Sequence, residues 1–304
     1  MSLLRRLIRA LDTTSQLQLD HRSLFGALGE EYASRFLEGP GIVSRVTNPI
    51  LPISDGRKNP PEADFLVYTR GNLFCIEVKH YKGQITGGVD DTTILQEKTG
   101  NYGEHLSPKS HPHPLKTTKA FIWQLKSYLA ETVDTRFQTV FIYAVAAFVE
   151  SADLHAIHDL DAGIIYVKEL PAFFQNHTNL HFARNPSRWI AEGIQHLPTS
   201  DLIMTTNEHP FKGFLTDQLL TFKKRDGTLE RLTYSEIRSI HLQRTGLFSD
   251  YDHMTVLFTD GHFRDFECAS GNIHFTNFSG EQQVHKLRNV KKIIVGRANK
   301  ILHL

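Results

Sequence analysis

Pro61-Glu-Ala-Asp64-Phe-Leu-Val-Tyr-Thr-Arg70-Gly71-Asn-Leu-Phe-Cys75-Ile-Glu77-Val-Lys79-His-Tyr81 is the stretch on which the fold of this chain turns. Ala63 to Thr69 and Asn72 to Tyr81 are rich in branched and aromatic residues, with Arg70-Gly71 between them, so the segment predicts a β-hairpin. Side chains alternate along a strand. Phe74, Ile76 and Val78 therefore face one way, and Leu73, Cys75, Glu77 and Lys79 the other. Both faces begin apolar, and then one switches to an acid and a base. A strand buried on both sides ends in a polar pair.

The turn sets the register. If Arg70-Gly71 is a two-residue turn, or Thr69 to Asn72 a four-residue loop, Asp64 falls opposite Glu77. An odd-length loop shifts the pairing by one and separates them. In the even register the two carboxylates have Cβ atoms ~5 Å apart, and like charges so placed repel. A divalent cation is the simplest compensation, and hard carboxylate oxygens suit Mg²⁺ or Mn²⁺. Asp64 and Glu77 are the expected ligands, with the Val78 carbonyl as a third. Such a cation polarises a phosphoryl oxygen and lowers the pKa of its water. Lys79, on the face of Glu77, would orient or activate the attacking water and offset developing charge. The expected reaction class is phosphodiester hydrolysis. Spacing alone leaves a plainer alternative open: Glu77 and Lys79 as an ion pair on a strand rim, with Asp64 a turn residue.

Outward from the hairpin, Ser23 to Leu37 predicts a helix, with Leu24, Phe25, Leu28, Tyr32, Phe36 and Leu37 on one stripe. Glu38-Gly-Pro-Gly41 stops it. Ile42 to Pro52 predicts a strand and Asp55 to Pro61 a polar loop. Residues 82 to 114 lack apolar periodicity and predict a long functional loop, with His105, His111 and His113 as mobile residues beside the site. Leu115 to Thr132 predicts a helix, Gln138 to Val149 a central strand covered on both faces, Ala162 to Lys168 a strand, and Glu169 to Phe174 the start of a short helix. This order describes an α/β domain over residues 21–198, a mixed central sheet flanked by helices.

From residue 199 to 304 the expectation is a mainly β domain. Gln218 to Lys224, Thr228 to Tyr234, His253 to Thr259 and His262 to Cys268 predict strands, with Asp226-Gly227 and Asp260-Gly261 as hairpin turns. Gly280 to Val295, with Val284, Leu287, Val290, Ile293 and Ile294 on one side, predicts a closing C-terminal helix. No internal repeat is evident.

Composition narrows the class. The 304 residues are 40% hydrophobic and 22% charged, which describes a globular protein. No apolar run approaches the ~18 residues a membrane-spanning helix needs. Residues 1–20 predict an amphipathic helix, Leu3, Leu4, Leu7, Ile8 and Leu11 alternating with Arg5, Arg6 and Arg9, for docking or for a membrane surface. Cys75 and Cys268 lie far apart in apolar runs and are expected to be reduced, in a cytoplasmic protein. A formal net charge of +1 announces no polyanion partner, although nucleic-acid binding needs only a local patch.

Three ordered motifs, Gly26-Ala-Leu-Gly29-Glu30-Glu31, Ala63-Asp64-Phe-Leu-Val67 and Phe74-Cys-Ile-Glu77-Val-Lys79-His-Tyr81-Lys-Gly83, resemble the nuclease-related domain (NERD) family. That family is placed in the PD-(D/E)xK phosphodiesterase superfamily, and the resemblance spans roughly residues 22 to 170. It implies a restriction-endonuclease-like fold, metal binding by Asp64 and Glu77, catalysis by Lys79, and a supporting acid at Glu30. It also implies a nucleic-acid substrate, DNA ahead of RNA, in DNA processing or defence against foreign DNA. The chain departs from the family where Pro114-Leu-Lys-Thr117 lacks an expected glutamine. Gln124, four residues before Tyr128 and on the same helix face, is similar to the last motif of RecB-like nucleases and is the candidate substitute; the spacing equally describes an exposed glutamine beside a core tyrosine.

The C-terminal region, through Tyr234-Ser-Glu-Ile237-Arg-Ser-Ile240, resembles bacterial pleckstrin-homology-like domains. It implies a protein or anionic-lipid partner. Lys286, Arg288, Lys291, Lys292, Arg297 and Lys300 read first as a solvated face, and more sharply as a nucleic-acid or anionic-lipid contact. The rival expectation is a catalytically inactive module that binds nucleic acid or a partner and carries a C-terminal adaptor domain.

Overall fold

The computed structural model describes residues 29–30, 32–37, 41–51, 60–88, 90–99, 105–157, 163–177, 187–206, 210–244, 251–278 and 280–296. The helix expected over residues 1–20 and the loop over residues 55–59 lie outside them. The chain divides into two compact units, one over Phe25–Thr199 and the other holding Ser200–Leu304.

The first unit is built on a five-stranded mixed sheet in the order β1 (Ile42–Thr47), β2 (Phe65–Thr69), β3 (Leu73–Lys79), β7 (Ile142–Phe148) and β9 (Ile164–Tyr166). β1, β2 and β3 pair antiparallel, and β3, β7 and β9 parallel. β2 is buried at every position and β3 until Glu77. Both faces of the hairpin are covered, which explains why its sequence runs apolar without a break. On one face Leu66, Tyr68, Leu73 and Cys75 pack beneath a helix through Phe121, Ile122, Leu125 and Leu129. On the other, Phe65, Phe74, Ile76 and Val78 meet Ala33, Leu37, Leu170 and Phe174.

The helices are α1 (residues 29–34, Glu31 aside, closing in a 3-10 turn Arg35–Leu37), α2 (Pro114–Thr132), α3 (Leu170–Asn176) and α4 (Arg188–Ile194). Pro114 opens α2, where its missing N–H and fixed φ suit a first turn. The strand expected from Gln138 begins later. Thr135–Thr139 form a 3-10 turn capped by Asp134, and β7 starts at Ile142.

The region expected as a loop over residues 82 to 114 is instead folded. β4 (Gly83–Thr86), β5 (Thr93–Thr99), β6 (His105–Pro112) and β8 (Ala152–Asp153) form a four-stranded sheet in the order β6-β5-β4-β8. Its apolar anchors are Ile85 and Ile94, both fully buried, and Gln96 takes the next inward position. A sheet so sparsely anchored has no hydrophobic alternation for a sequence to display. The histidines follow: His105 and His111 lie on β6, and His113 is the fully buried N-cap of α2.

Among the described residues the second unit is strands and two 3-10 turns, its strands in one nine-stranded sheet. Its order is β11 (Pro210–Leu215), β10 (Asp201–Thr205), β18 (Val290–Ile294), β14 (Ile237–Arg244), β15 (Asp252–Phe258), β16 (Phe263–Asn277), β12 (Leu219–Lys224) and β13 (Leu229–Thr233), with β17 (Gln282–Lys286) also on β16. Because β11 pairs with β16, six of the strands close into a ring around Ile203, Phe222, Ile240, Val256, Phe275 and Ile293. The closing helix expected over Gly280–Val295 is absent. β17, a 3-10 turn Leu287–Asn289 and β18 stand there. The turn breaks the two-residue strand period, so buried Leu287, Val290 and Ile293 fall three apart and imitate a helical stripe. The β-branched run Val290, Ile293, Ile294, Val295 favours the strand.

The unit also contains the repeat that the sequence does not display. Leu219↔Thr233 in the β12–β13 hairpin and Asn272↔Lys286 in the β16–β17 hairpin are the same pair displaced by 53 residues (272 minus 219, 286 minus 233). The same shift carries Ile203↔Phe211 onto Val256↔Arg264, and Ile203↔Ile293 onto Val256↔Ile240. Ile240, which the shift carries to Ile293, pairs with Ile293 itself. The same strands thus pair when the two halves are exchanged, with the register shifted only where β11 and β12 meet β16: Leu215↔Phe275 against Lys224↔Cys268. β16 does in one continuous strand what β11 and β12 do in two.

Candidate active site

The observed register of the central hairpin is the even one. Phe65 pairs with Ile76, Leu66 with Cys75 and Tyr68 with Leu73, and Thr69 N–H donates to the Asn72 carbonyl at 3.0 Å. Continued by one residue, the ladder sets Asp64 opposite Glu77. Asp64 is only 9% exposed, and its Oδ2 accepts the Val78 N–H at 2.6 Å. The strand end thereby holds this carboxylate through its own main chain.

Glu77 and Lys79 project from the other face of β3 than Val78 does. Lys79 Nζ donates to Glu77 Oε1 at 2.5 Å, with side-chain exposures of 23% and 21%. The ion pair of the plainer alternative therefore exists. It sits in a cavity rather than on a rim. Burial pulls the Lys79 pKa down, but Glu77 and Asp64 outweigh it and hold the ammonium well above its ordinary range. Beside these two carboxylates Lys79 is a cation and a hydrogen-bond donor.

The cavity has a volume of about 210 Å³ and is lined by Glu62, Ala63, Glu77, Lys79, Tyr81, Pro112, Thr117, Thr118 and Phe121. Three structural pieces meet there: the ends of the central hairpin, the end of β6, and the first two turns of α2. Thr117 and Thr118 Oγ1 both donate to the Pro114 carbonyl at 2.8 Å, which holds the two hydroxyls on the first turn. They occupy the helix start where the sequence lacks a glutamine. Gln124 is half-buried one turn beyond Phe121 and is not among the lining residues. On α2 it is the threonines and Phe121 that reach the cavity.

Glu30 is likewise not a lining residue. Its helix packs on the opposite face of the sheet: a Cβ built on Gly29 would lie 3.1 Å from His80 Cβ and 3.4 Å from Val78 Cγ1. Glu62 is the functional candidate that sequence reasoning missed. The register that matches Asp64 with Glu77 also matches Glu62 with Lys79, two positions along, so the signal was present. His111 stacks on Tyr81 with ring centroids 4.5 Å apart. His113, buried at the start of α2, has its pKa lowered, chiefly by burial.

Among the described residues no group of three or more His, Cys, Asp or Glu side chains is arranged to hold a metal ion. The donors available are Asp64 Oδ1, the Glu77 carboxylate and the Val78 carbonyl. All are hard oxygens, and the buried Asp64 carboxylate beside a single lysine leaves negative charge to be offset. Such a set fits Mg²⁺ or Mn²⁺, which keep several waters and need only one or two carboxylates, and does not fit zinc.

Residues 25–149 match the family model of the nuclease-related domain, a span that includes every residue lining the cavity. No curated protein matches the chain.

Proposed function

We propose that this chain is a metal-dependent nuclease that hydrolyses phosphodiester bonds, with DNA ahead of RNA as substrate. The observation that carries it is the Glu77–Lys79 pair in one cavity, with the hairpin register setting buried Asp64 opposite Glu77, inside a segment similar to nuclease-related domains. Asp64, Glu77 and the Val78 carbonyl would hold Mg²⁺ or Mn²⁺. When bound, the ion would polarise the phosphoryl oxygen and acidify water.

The chain's own residues do the rest. Lys79 donates to the attacking water or to a phosphoryl oxygen and offsets the charge that builds there. As water oxygen bonds to phosphorus, the ester oxygen on the far side departs. The water's proton passes to a cavity carboxylate, Glu77 or Glu62, and the leaving oxygen is protonated from solvent. Two buried free cysteines, Cys75 and Cys268, accord with a reducing compartment such as the cytoplasm. No described helix is long and apolar enough to cross a membrane.

The experiment incubates purified protein with plasmid and with single-stranded DNA and RNA, in Mg²⁺, Mn²⁺ or EDTA, beside Glu77→Gln and Lys79→Ala. Cleavage that requires metal and is lost in both variants is the expected result. Equal behaviour of wild type and variants overturns it. That outcome would favour a nucleic-acid-binding module, a second reading suggested by the Glu77–Lys79 contact, which occupies one of the oxygens a metal would use.

A further inference from the structure

Tyr81 lies two residues past the end of β3, in phase with Glu77 and Lys79, and lines the same cavity. It is held at three points. Its carbonyl accepts the Ser151 hydroxyl at 2.7 Å. Its ring is stacked on His111 at 4.5 Å and 26°, and meets Phe148 edge-on at 6.0 Å and 67°. His111 is itself fixed: its Nε2 is 3.1 Å from Gln96 Oε1, and Gln96 Nε2 donates to the Lys82 carbonyl at 2.8 Å. Gln96 is buried. A surface aromatic used only for packing would not need this chain of supports, which runs from the β5–β6 hairpin to one phenol beside an ammonium and a carboxylate. Burial raises the phenol pKa, Lys79 lowers it and Glu77 raises it again, for a net rise. The hydroxyl therefore stays protonated and can donate at any working pH.

We propose that Tyr81 is a further catalytic residue, its phenol O–H donating to a non-bridging oxygen of the phosphodiester under attack, and that His111 is the positioning residue that aims it. The inference rests on the phosphodiesterase reading of the same cavity. A phosphoryl oxygen gains negative charge as water adds and loses it as the ester oxygen leaves. A donor preset at that oxygen is worth more in the transition state than in the ground state. Lys79 supplies one such donor, and Tyr81 supplies a second, neutral one that adds no competing claim on Glu77. The folded β4–β5–β6 sheet thus has a task in the chemistry: it carries His111 to the ring.

The test measures metal-dependent cleavage of whichever nucleic acid the wild-type full chain cuts, with kcat and KM separated. Tyr81→Phe keeps the stacked ring and removes only the hydroxyl. It is expected to lower kcat by about 10- to 100-fold, at the lower edge of what loss of one transition-state donor costs, with KM changed less than about twofold. His111→Ala is expected to lower kcat by about tenfold, and His111→Phe, which restores a ring face without the Gln96 contact, to recover most of it. In Tyr81→Phe/His111→Ala the second change should add nothing, because it acts through the missing hydroxyl.

Wild-type kcat in Tyr81→Phe, beside an inactive Glu77→Gln, overturns this inference and leaves the nuclease reading standing. A full additional loss from His111→Ala in the Tyr81→Phe background overturns the positioning role. No cleavage by the wild type with either metal overturns the nuclease reading, and this inference with it.

Discussion

Asp64 and Asp201 are both buried, one in each unit, and each accepts main-chain N–H groups: Asp64 from Val78 at 2.6 Å, Asp201 from Leu215 at 2.7 Å and Gly296 at 2.5 Å. Their surroundings differ. Asp64 stands beside Glu77 and the ammonium of Lys79, and those two, with its neighbour Ala63, line a cavity. Asp201 is fully enclosed, and the influences on it are burial, which pushes its pKa up to about 7, and the two N–H groups that oppose the rise. A buried carboxylate alone therefore marks no site. The neighbouring charge and the open space mark it, and Asp201 is a clasp that ties the end of β11 to the chain leaving β18. In the second repeat Met254 takes the equivalent place and is equally buried.

The largest effect should separate the two aspartates outright. Asp64→Asn and Glu77→Gln are each expected to reduce metal-dependent cleavage by about 10²- to 10³-fold, while Asp201→Asn leaves it unchanged. Loss of cleavage in Asp201→Asn would break the distinction. Next comes stability. Asp201→Ala strands one buried and one half-buried N–H group and should cost the barrel about 1–3 kcal/mol. Urea unfolding resolves this, because Trp123 and Trp189 both lie in the first unit and their fluorescence reports it separately. A shift seen in the tryptophan signal instead would assign the clasp to the wrong unit.

A pH dependence follows from the same group. Its ordinary pKa is 3.8, and in the folded barrel it is about 7. Between those values the folded state binds the proton and the unfolded chain does not, so the stability contributed is present at low pH and is lost as pH rises towards 7. The barrel's urea midpoint should fall between pH 5 and pH 8, and Asp201→Asn should flatten that slope. A midpoint that rises over this range would show that the two N–H donors outweigh burial.

The units also differ in how much of each could be read from sequence. The β2–β3 hairpin was legible because both its faces are buried, and because Arg70-Gly71 left little freedom of register; Asp64 and Glu77 came with it. Glu62 was overlooked although the same register delivers it. The β5–β6 hairpin was illegible because its inward positions include Gln96 and His111, polar groups satisfied by each other rather than by a core. Tyr81 escaped for that reason, since what aims it comes from a hairpin that did not look like one. In the barrel, the 3-10 turn before β18 disguised a strand as a helix. The repeat went unseen because it survives as burial and not as identity: Leu220 and Ile273, Tyr234 and Leu287, and Ile237 and Val290 are equivalent core positions with different side chains.

The smallest predicted effect tests that repeat. Gly227 and Gly280 are equivalent under the 53-residue shift, with φ of 88° and 83°. Each closes its hairpin in the same way: Lys224 N–H to the Thr228 carbonyl at 2.8 Å, and Asn277 N–H to the Glu281 carbonyl at 3.0 Å. A Cβ would meet nothing within 4 Å at Gly280, and only the end of Lys223 at 3.7 Å at Gly227. The cost of alanine is then the left-handed backbone itself, about 1 kcal/mol at either position. Gly227→Ala and Gly280→Ala should lower barrel stability equally, within a few tenths of a kcal/mol. Unequal costs would mean that the two turns carry different loads, and that the likeness of the halves ends at their pairing pattern.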